Sequence, residues 1–401
     1  MRILLLGLSL KPECGGGYTF SRDVFEALAR TEGHKHEFYV LDFGQLPAIL
    51  PKTFCKIPIS PNALDRRLDW LMHKAILRVK RLMGRGHHRV FLPRVRKAQL
   101  RDYRLDCALC LRPGEWSRVL PNICTVFDLE HRRKPYFPEI SSNGEWLHRE
   151  RSYRRELPKA LAIITGTRTG KAHVERFYGV DPAAVWVIPL PTPSFTRGEA
   201  SRPSSEQLPA GITGEFLFYP AQYWPHKNHL RLLEAVQTLH RRHQWNGMLV
   251  CCGSDKGNLN YLKKRATEFG IADRVQFLGF VKQSELIALY GHAVALTFVS
   301  YFGPDNLPPL EAFALGCPVI ASAIEGAEEQ LGSAALRVNP DSASEVADAV
   351  LRLKNEPGLR ETLINAGKNR AAEFTADNYA ARIIHLLDSL EVRFSCFRGS
   401  S

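Results

Sequence analysis

The sequence predicts an α/β protein of two domains, each a mainly parallel sheet wrapped by helices. Three observations lead there. The length of 401 residues suits two domains better than one. Short apolar runs alternate with amphipathic stretches almost throughout. The alternation is broken once, at 191–214, by a segment rich in Pro, Ser, Thr and Gly, which reads as an interdomain linker. Strand–helix alternation implies right-handed crossovers and parallel sheets that bind ligands at the strands' carboxyl ends. Two Rossmann-like domains facing a central cleft are therefore expected: residues 1–190, then 215–375, with 376–401 as a helix crossing back to the first domain and a tail.

Taken in order, Arg2–Leu10 reads as a buried strand. Phe20, Val24, Ala27 and Leu28 give Tyr18–Arg30 helix spacing. His36–Asp42, Cys107–Leu111, Ile123–Phe127 and Ala160–Thr165 read as strands, and Thr167–Tyr178 as a helix stopped by Gly179. After the linker the rhythm restarts. Phe216–Tyr219, Met248–Cys252, Val275–Leu278, Ala293–Val299 and Pro318–Ser322 are predicted strands. Helices are predicted at His229–His243, Leu259–Phe269, Ser284–Tyr290 and Pro308–Leu315, and three more close the chain, the last at Asp377–Leu390.

The composition, 45% hydrophobic and 24% charged, is that of a globular protein. No stretch approaches the ~18 apolar residues of a membrane-spanning helix. The apolar start has a short core, no small-residue cleavage site and a glycine-rich loop directly after it, so it reads as a strand rather than a signal peptide; a cytoplasmic location is expected. The nine cysteines lack paired spacing. Cys107 and Cys110 lie inside an apolar strand, where buried thiols are more common than a redox pair.

The formal net charge of +13 favours an anionic partner. It is concentrated between Arg66 and Arg104, where 13 Lys or Arg face two acids, Asp69 and Asp102, with Leu68, Leu71, Ile76, Leu77, Leu82 and Met83 interleaved. Two readings stand side by side: a basic amphipathic helix lying on an anionic membrane surface, such as the inner face of the plasma membrane, and a solvated helical face. Nucleic acid is not expected, because few aromatic residues are interleaved there.

Three loops can carry chemistry. Lys11–Gly17 holds consecutive glycines at 15, 16 and 17 between the first strand and helix, where a phosphate or sugar can approach the backbone. It is not a G-x-G-x-x-G fingerprint, and a plain turn is the competing reading. Tyr219–His229 places Lys227 beside a helix start, where it can meet a diphosphate whose charge grows as a glycosidic bond breaks; a solvated loop lysine is the competing reading. Ser300–Ser322 runs from a strand end through a Gly/Pro/Asn loop into a helix with Pro at its first positions. The free amides and positive end of that helix suit a diphosphate. Glu311, one turn inside, can accept both hydroxyls of a ribose; a glutamate that merely suits the helix dipole is the competing and more common reading.

The order of these features resembles the signature of the large retaining glycosyltransferase family with the GT-B fold, typified by sucrose synthases, glycogen synthases and bacterial polysaccharide mannosyl- and glucosyltransferases. The shared run comprises Phe277-Leu-Gly-Phe-Val281, Ser284-Glu-Leu286, Leu289-Tyr290, the Pro-Pro-Leu-Glu-Ala helix and Gly316-Cys-Pro-Val-Ile-Ala-Ser322. It is close over 216–326 and loose in the amino-terminal half. The resemblance implies that Lys227 contacts the donor diphosphate and Glu311 its ribose. Gly303, Pro304, Asp305, Asn306 and Leu307 would hold sugar and phosphates, Gly16 and Gly17 would approach from the other domain, and Phe280 and Val281 would lie near the base.

Three departures stand out. Ser300 occupies the place of a family glutamate in a lengthened loop, where Asp305 is a candidate replacement. Gln222 stands where an arginine is usual. The usual His-Asp pair reads Phe127-Asp128, with His131 as a candidate imidazole three residues on. The resemblance implies a hexosyltransferase using a nucleotide sugar, with a saccharide or lipid-linked saccharide acceptor, in cell-surface polysaccharide or lipopolysaccharide synthesis. Lys227, Glu311, Asp128 and His131 are the expected catalytic set, and no metal ligand cluster or cofactor is expected. The alternative is a degenerate member that binds a nucleotide sugar or a partner without turnover.

Overall fold

The computed structural model describes residues 1–8, 15–42, 54–58, 100–198 and 208–398. The first domain is a seven-stranded sheet in the order β3-β2-β1-β4-β5-β6-β7. Its strands are β1 (Arg2–Leu6), β2 (Glu37–Asp42), β3 (Phe54–Pro58), β4 (Cys107–Cys110), β5 (Asn122–Val126), β6 (Ala162–Thr165) and β7 (Val185–Val187). The second is a six-stranded sheet in the order β10-β9-β8-β11-β12-β13, from β8 (Phe216–Pro220), β9 (Met248–Cys252), β10 (Val275–Phe277), β11 (Ala295–Phe298), β12 (Val319–Ser322) and β13 (Ala335–Val338). Every strand pair is parallel, for example Leu217 beside Leu249 and Leu296 beside Phe218.

Helices cover both faces, so the central strands are mostly apolar and buried along their length rather than at alternate residues. Phe216, Leu217, Phe218 and Tyr219 of β8 are all buried, as are all five residues of β5. Strand order reverses between β1 and β4 in the first sheet and between β8 and β11 in the second. The loops after those strands flank the crevice where open α/β sheets bind ligands.

The chain passes between the domains twice. Thr192, on the first passage, donates from its backbone N–H to Phe374 O (2.7 Å) and from its hydroxyl to Ala371 O (2.8 Å), on the second. The final helix, Ala376–Arg398, then lies on the first domain. Tyr379, Ala380, Ile383, Leu386 and Leu387 join Ile3, Phe20, Val24 and Phe38 in one apolar cluster. Arg30 pairs with Asp377 (3.0 Å) and His36 with Asp388 (3.1 Å) at its edge.

Several sequence expectations are adjusted. The first strand stops at Leu6 instead of Leu10, because Gly7 turns at φ +87° and a Cβ there would lie 2.8 Å from Arg112 N. The predicted Ser284–Tyr290 helix is Gln283–His292, with Glu285 reaching back to the N–H of Lys282 at 2.7 Å. Strands β3, β7 and β13 and the helix Glu145–Glu156 were not expected. Cys107 and Cys110 are buried in β4, and burial pushes the Cys107 thiol up to about 12 and Cys110 higher still, which leaves no reactive thiolate near neutrality. Among the described residues no helix is long and apolar enough to cross a membrane. The basic stretch at 66–99 and the first half of the glycine loop, 9–14, lie outside the described residues.

Candidate active site

The two switch-point crevices face each other, and the residues that meet across them are short of side chain on one wall. A Cβ built on Gly16, at the start of the helix Gly16–Arg30, would lie 3.2 Å from Leu307 Cδ1. One on Gly166, after β6, would lie 1.6 Å from Asp305 Oδ2. Gly15, at φ +64°, looks onto the Gln222 amide, and Gly17 leaves room for the Arg112 guanidinium at 3.6–3.8 Å. The glycine loop and the loops after β8 and β11 are thus brought together.

Lys227 follows β8 in a short 3₁₀ turn, Pro225–Lys227. Tyr219 Oη binds its carbonyl at 2.6 Å, and Asn228, held at φ 58°, sends its amide to Val299 O (3.1 Å) and Pro340 O (2.7 Å). These bonds tie the β8 loop to the β11 loop. The ammonium lies 5.1 Å from the Phe298 ring centre and has no hydrogen bond or ion pair among the described residues. Burial pushes Lys227 down to about 8, against the opposing pull of Asp128 and Glu139. A half-buried ammonium with no anionic partner among the described residues is suited to an anionic ligand.

Glu311 lies in the helix Leu307–Ala314, whose N-cap is Asn306 and whose first turn carries Pro. Its carboxylate is buried and accepts the Tyr290 hydroxyl at 2.6 Å. Burial raises Glu311 to about 7, partly offset by that hydrogen bond, and the charge of Asp23 adds to the rise. Before the helix, Asn306 folds the loop: its amide bonds Gly303 O at 2.8 Å and its N–H bonds Gln330 Oε1 at 2.9 Å. Gly303 takes φ +85°, which favours glycine. Pro304 packs towards Gly326. Asp305 is buried, and burial together with the charges of Asp128 and Glu329 raises it to about 7. Ser300, in the glutamate's place, is closed into a local turn with Phe302, accepting its N–H at 3.2 Å.

Asp128, after β5, faces this group. Burial works against its charge, but the Arg149 guanidinium at 2.9 Å and the Glu130 N–H at 3.0 Å hold it below the usual range. His131 requires a correction. It is fully buried, its Nε2 lies 3.3 Å from Glu150 and 3.1 Å from Tyr178, and Tyr153 packs edge-on against it. Burial, reinforced by Arg149, holds it at about 4. No surface remains for a donor sugar, so His131 is part of the first domain's core.

Val281 is half-buried against the second core, while Phe280 is exposed beyond Gly279 at the end of β10. Gly253 N bonds Gly279 O at 2.7 Å, which sets this loop beside the end of β9.

Sequence reasoning did not single out Arg149, Gln330, His226 or Glu139, and it named Tyr290 only within the shared run, without a role. His226 had one signal, its place next to Lys227. The others act through pairings across the fold that no local spacing shows.

Residues 202–370 match the family described as glycosyl transferases group 1. The chain is 30% identical to O-antigen chain mannosyltransferase RfbU of Salmonella typhimurium over 54% of its length and 56% of that protein. It is 24% identical to O-antigen chain mannosyltransferase B of Escherichia coli, over 62% of this chain and 66% of that one. It thus spans less than two thirds of these relatives. A solved structure of Anabaena HepE in complex with UDP and glucose superimposes with a TM-score of 0.66 at 17% identity, covering 97% of this chain and 100% of the other. Two facing parallel sheets and the matched second domain lead to one conclusion: the chain has the GT-B fold, and its residues 202–370 are similar to the group 1 glycosyl transferases.

Proposed function

We propose that this chain transfers a hexose of the mannose or glucose type from a nucleoside-diphosphate sugar to a saccharide or lipid-linked saccharide acceptor, with retention at the anomeric carbon, in cell-surface polysaccharide or lipopolysaccharide synthesis. The observation that carries the reading is the Lys227 ammonium, without a hydrogen bond or ion pair among the described residues, in the loop whose Gln222 meets the glycine loop, which also meets the start of the Leu307–Ala314 helix. In the step proposed, the bond from the anomeric carbon to the diphosphate oxygen breaks. The departing oxygen takes the proton of the acceptor hydroxyl, and the new glycosidic bond forms on the same face. Lys227 and the helix amides stabilise the leaving charge. Glu311, oriented by Tyr290, accepts the ribose hydroxyls, and Asp128 or Asp305 reads the sugar. The O-antigen mannosyltransferase relatives support the acceptor class, and the UDP complex of HepE supports the donor class.

The replacement of a glutamate by the locally engaged Ser300 favours a second reading, a binder without turnover. Thermal stabilisation by UDP, GDP, ADP and their hexose conjugates tests both. A ligand at 100 times its Kd adds about 2.7 kcal/mol. A shift with one nucleotide, lost in Glu311→Ala and accompanied by sugar release, supports transfer. Binding without release supports the second reading, and no shift with any ligand overturns both.

A further inference from the structure

The carboxylate of Glu139 crosses from the first domain to the loop that carries Lys227. Its Oε1 accepts the backbone N–H of His226 at 2.9 Å and pairs with the Nδ1 of the same residue, while Oε2 is buried without a partner. The His226 ring lies flat on Phe302, with centres 4.2 Å apart and planes at 8°. Phe137, two residues before Glu139, meets Phe302 edge-on at 4.9 Å and Tyr301 at 5.5 Å. Lys134 adds a hydrogen bond to Tyr301 O. One short segment of the first domain therefore grips both loops that flank the second sheet's crevice.

His226 immediately precedes Lys227 in a single 3₁₀ turn, so the backbone that Glu139 holds is the backbone that aims the ammonium. We propose that Glu139 is a positioning residue: when the domains close, its two bonds to His226 place the Lys227 ammonium for the diphosphate. It does so without touching the donor, and it rests on the reading of Lys227 given above. Glu139 acts on Lys227 in a second way. Among the described residues the titratable groups facing the ammonium are Asp128 and Glu139, which favour it, and the imidazoles of His226 and His229, each held down by burial and by the Lys227 charge. Arg149 engages Asp128, leaving Glu139 as the carboxylate bonded directly to the loop that carries Lys227.

The test uses the full chain and whichever of UDP, GDP or ADP stabilises it, titrated by calorimetry across pH. Glu139→Gln keeps the shape and removes the charge. Its affinity at pH 7 should fall about tenfold, and the pH at which affinity is lost on the alkaline side should drop by roughly one pH unit or more. Glu139→Asp restores the charge but not the reach, so it should recover the pH midpoint without recovering affinity. A role confined to folding stability predicts the same midpoint in all three proteins, and that result overturns the proposal. Lys227→Ala separates the two readings. If it abolishes binding while the Glu139 variants bind as wild type, only the positioning role fails. If it leaves binding intact, the diphosphate assignment and the positioning role fall together.

Discussion

The carboxylate of Asp305 fills the space that any side chain at Gly166 would need, since a Cβ there would sit 1.6 Å from Oδ2. The lengthened loop after β11 is thus fitted to a glycine in the opposite domain. Gly166→Ala is expected to push the loop 303–306 out of place at about 1–3 kcal/mol of strain. Nucleotide-sugar affinity should fall at least tenfold, and Gly166→Ala with Asp305→Ala should regain part of it. Equal loss in the double variant would show that the contact is incidental.

Nucleotide affinity should be greatest in a narrow window near pH 7 to 8. Lys227, lowered to about 8, loses the ammonium that binds diphosphate as pH rises through that value. Glu311, raised to about 7, loses the carboxylate that binds ribose as pH falls through it. Stability of the ligand-free protein follows a different course. The folded value of Glu311 lies above the ordinary 4.5 of the unfolded chain, so its contribution is full below 4.5 and is lost as pH rises through about 7. The folded value of Lys227 lies below the ordinary 10.5, so its destabilising effect is full below about 8 and is relieved as pH rises from there. Calorimetric titration and melting curves over the same pH range check both.

Tyr290→Phe removes only the hydroxyl that binds Glu311. A buried carboxylate without a donor costs about 1–3 kcal/mol, and the carboxyl should hold its proton to higher pH. Denaturant unfolding should show that loss, and the acid limb of the affinity profile should move upward. An unmoved acid limb would assign that limb to another group, Asp305 being the candidate.

Ile383→Ala should destabilise the first domain by about 2–5 kcal/mol, because Ile383 is fully buried between the last helix and the first sheet. Hydrogen exchange should then rise in β1 and β2 and stay unchanged in β8 to β12. Uniform loss of protection would mean that the two domains unfold as one unit.

Much of this architecture is legible in the sequence. The strands β8, β9, β11 and β12 are mostly apolar runs buried on both faces, and the Pro-led helix at 307 carries its own start signal. β7 was missed because its three residues, Val185-Trp186-Val187, are too short to show a period. The helix Glu145–Glu156 was missed because its buried side chains are Glu150, Tyr153 and Glu156. Two of those three are charged residues, and Glu150 is buried by pairing with Arg132 and His131, partners no hydropathy pattern contains. The site divides the same way. Lys227 and Glu311 lie in recognisable local runs, whereas the burial of His131 depends on Glu150 and Tyr178, distant in the chain.

The order of synthesis gives the last helix a further meaning. The first domain's strands emerge early, but the face that Tyr379, Ile383 and Leu387 cover stays bare until the end of the chain is made. Domains generally fold as units during synthesis, the amino-terminal one first; here the second domain is able to finish before the first.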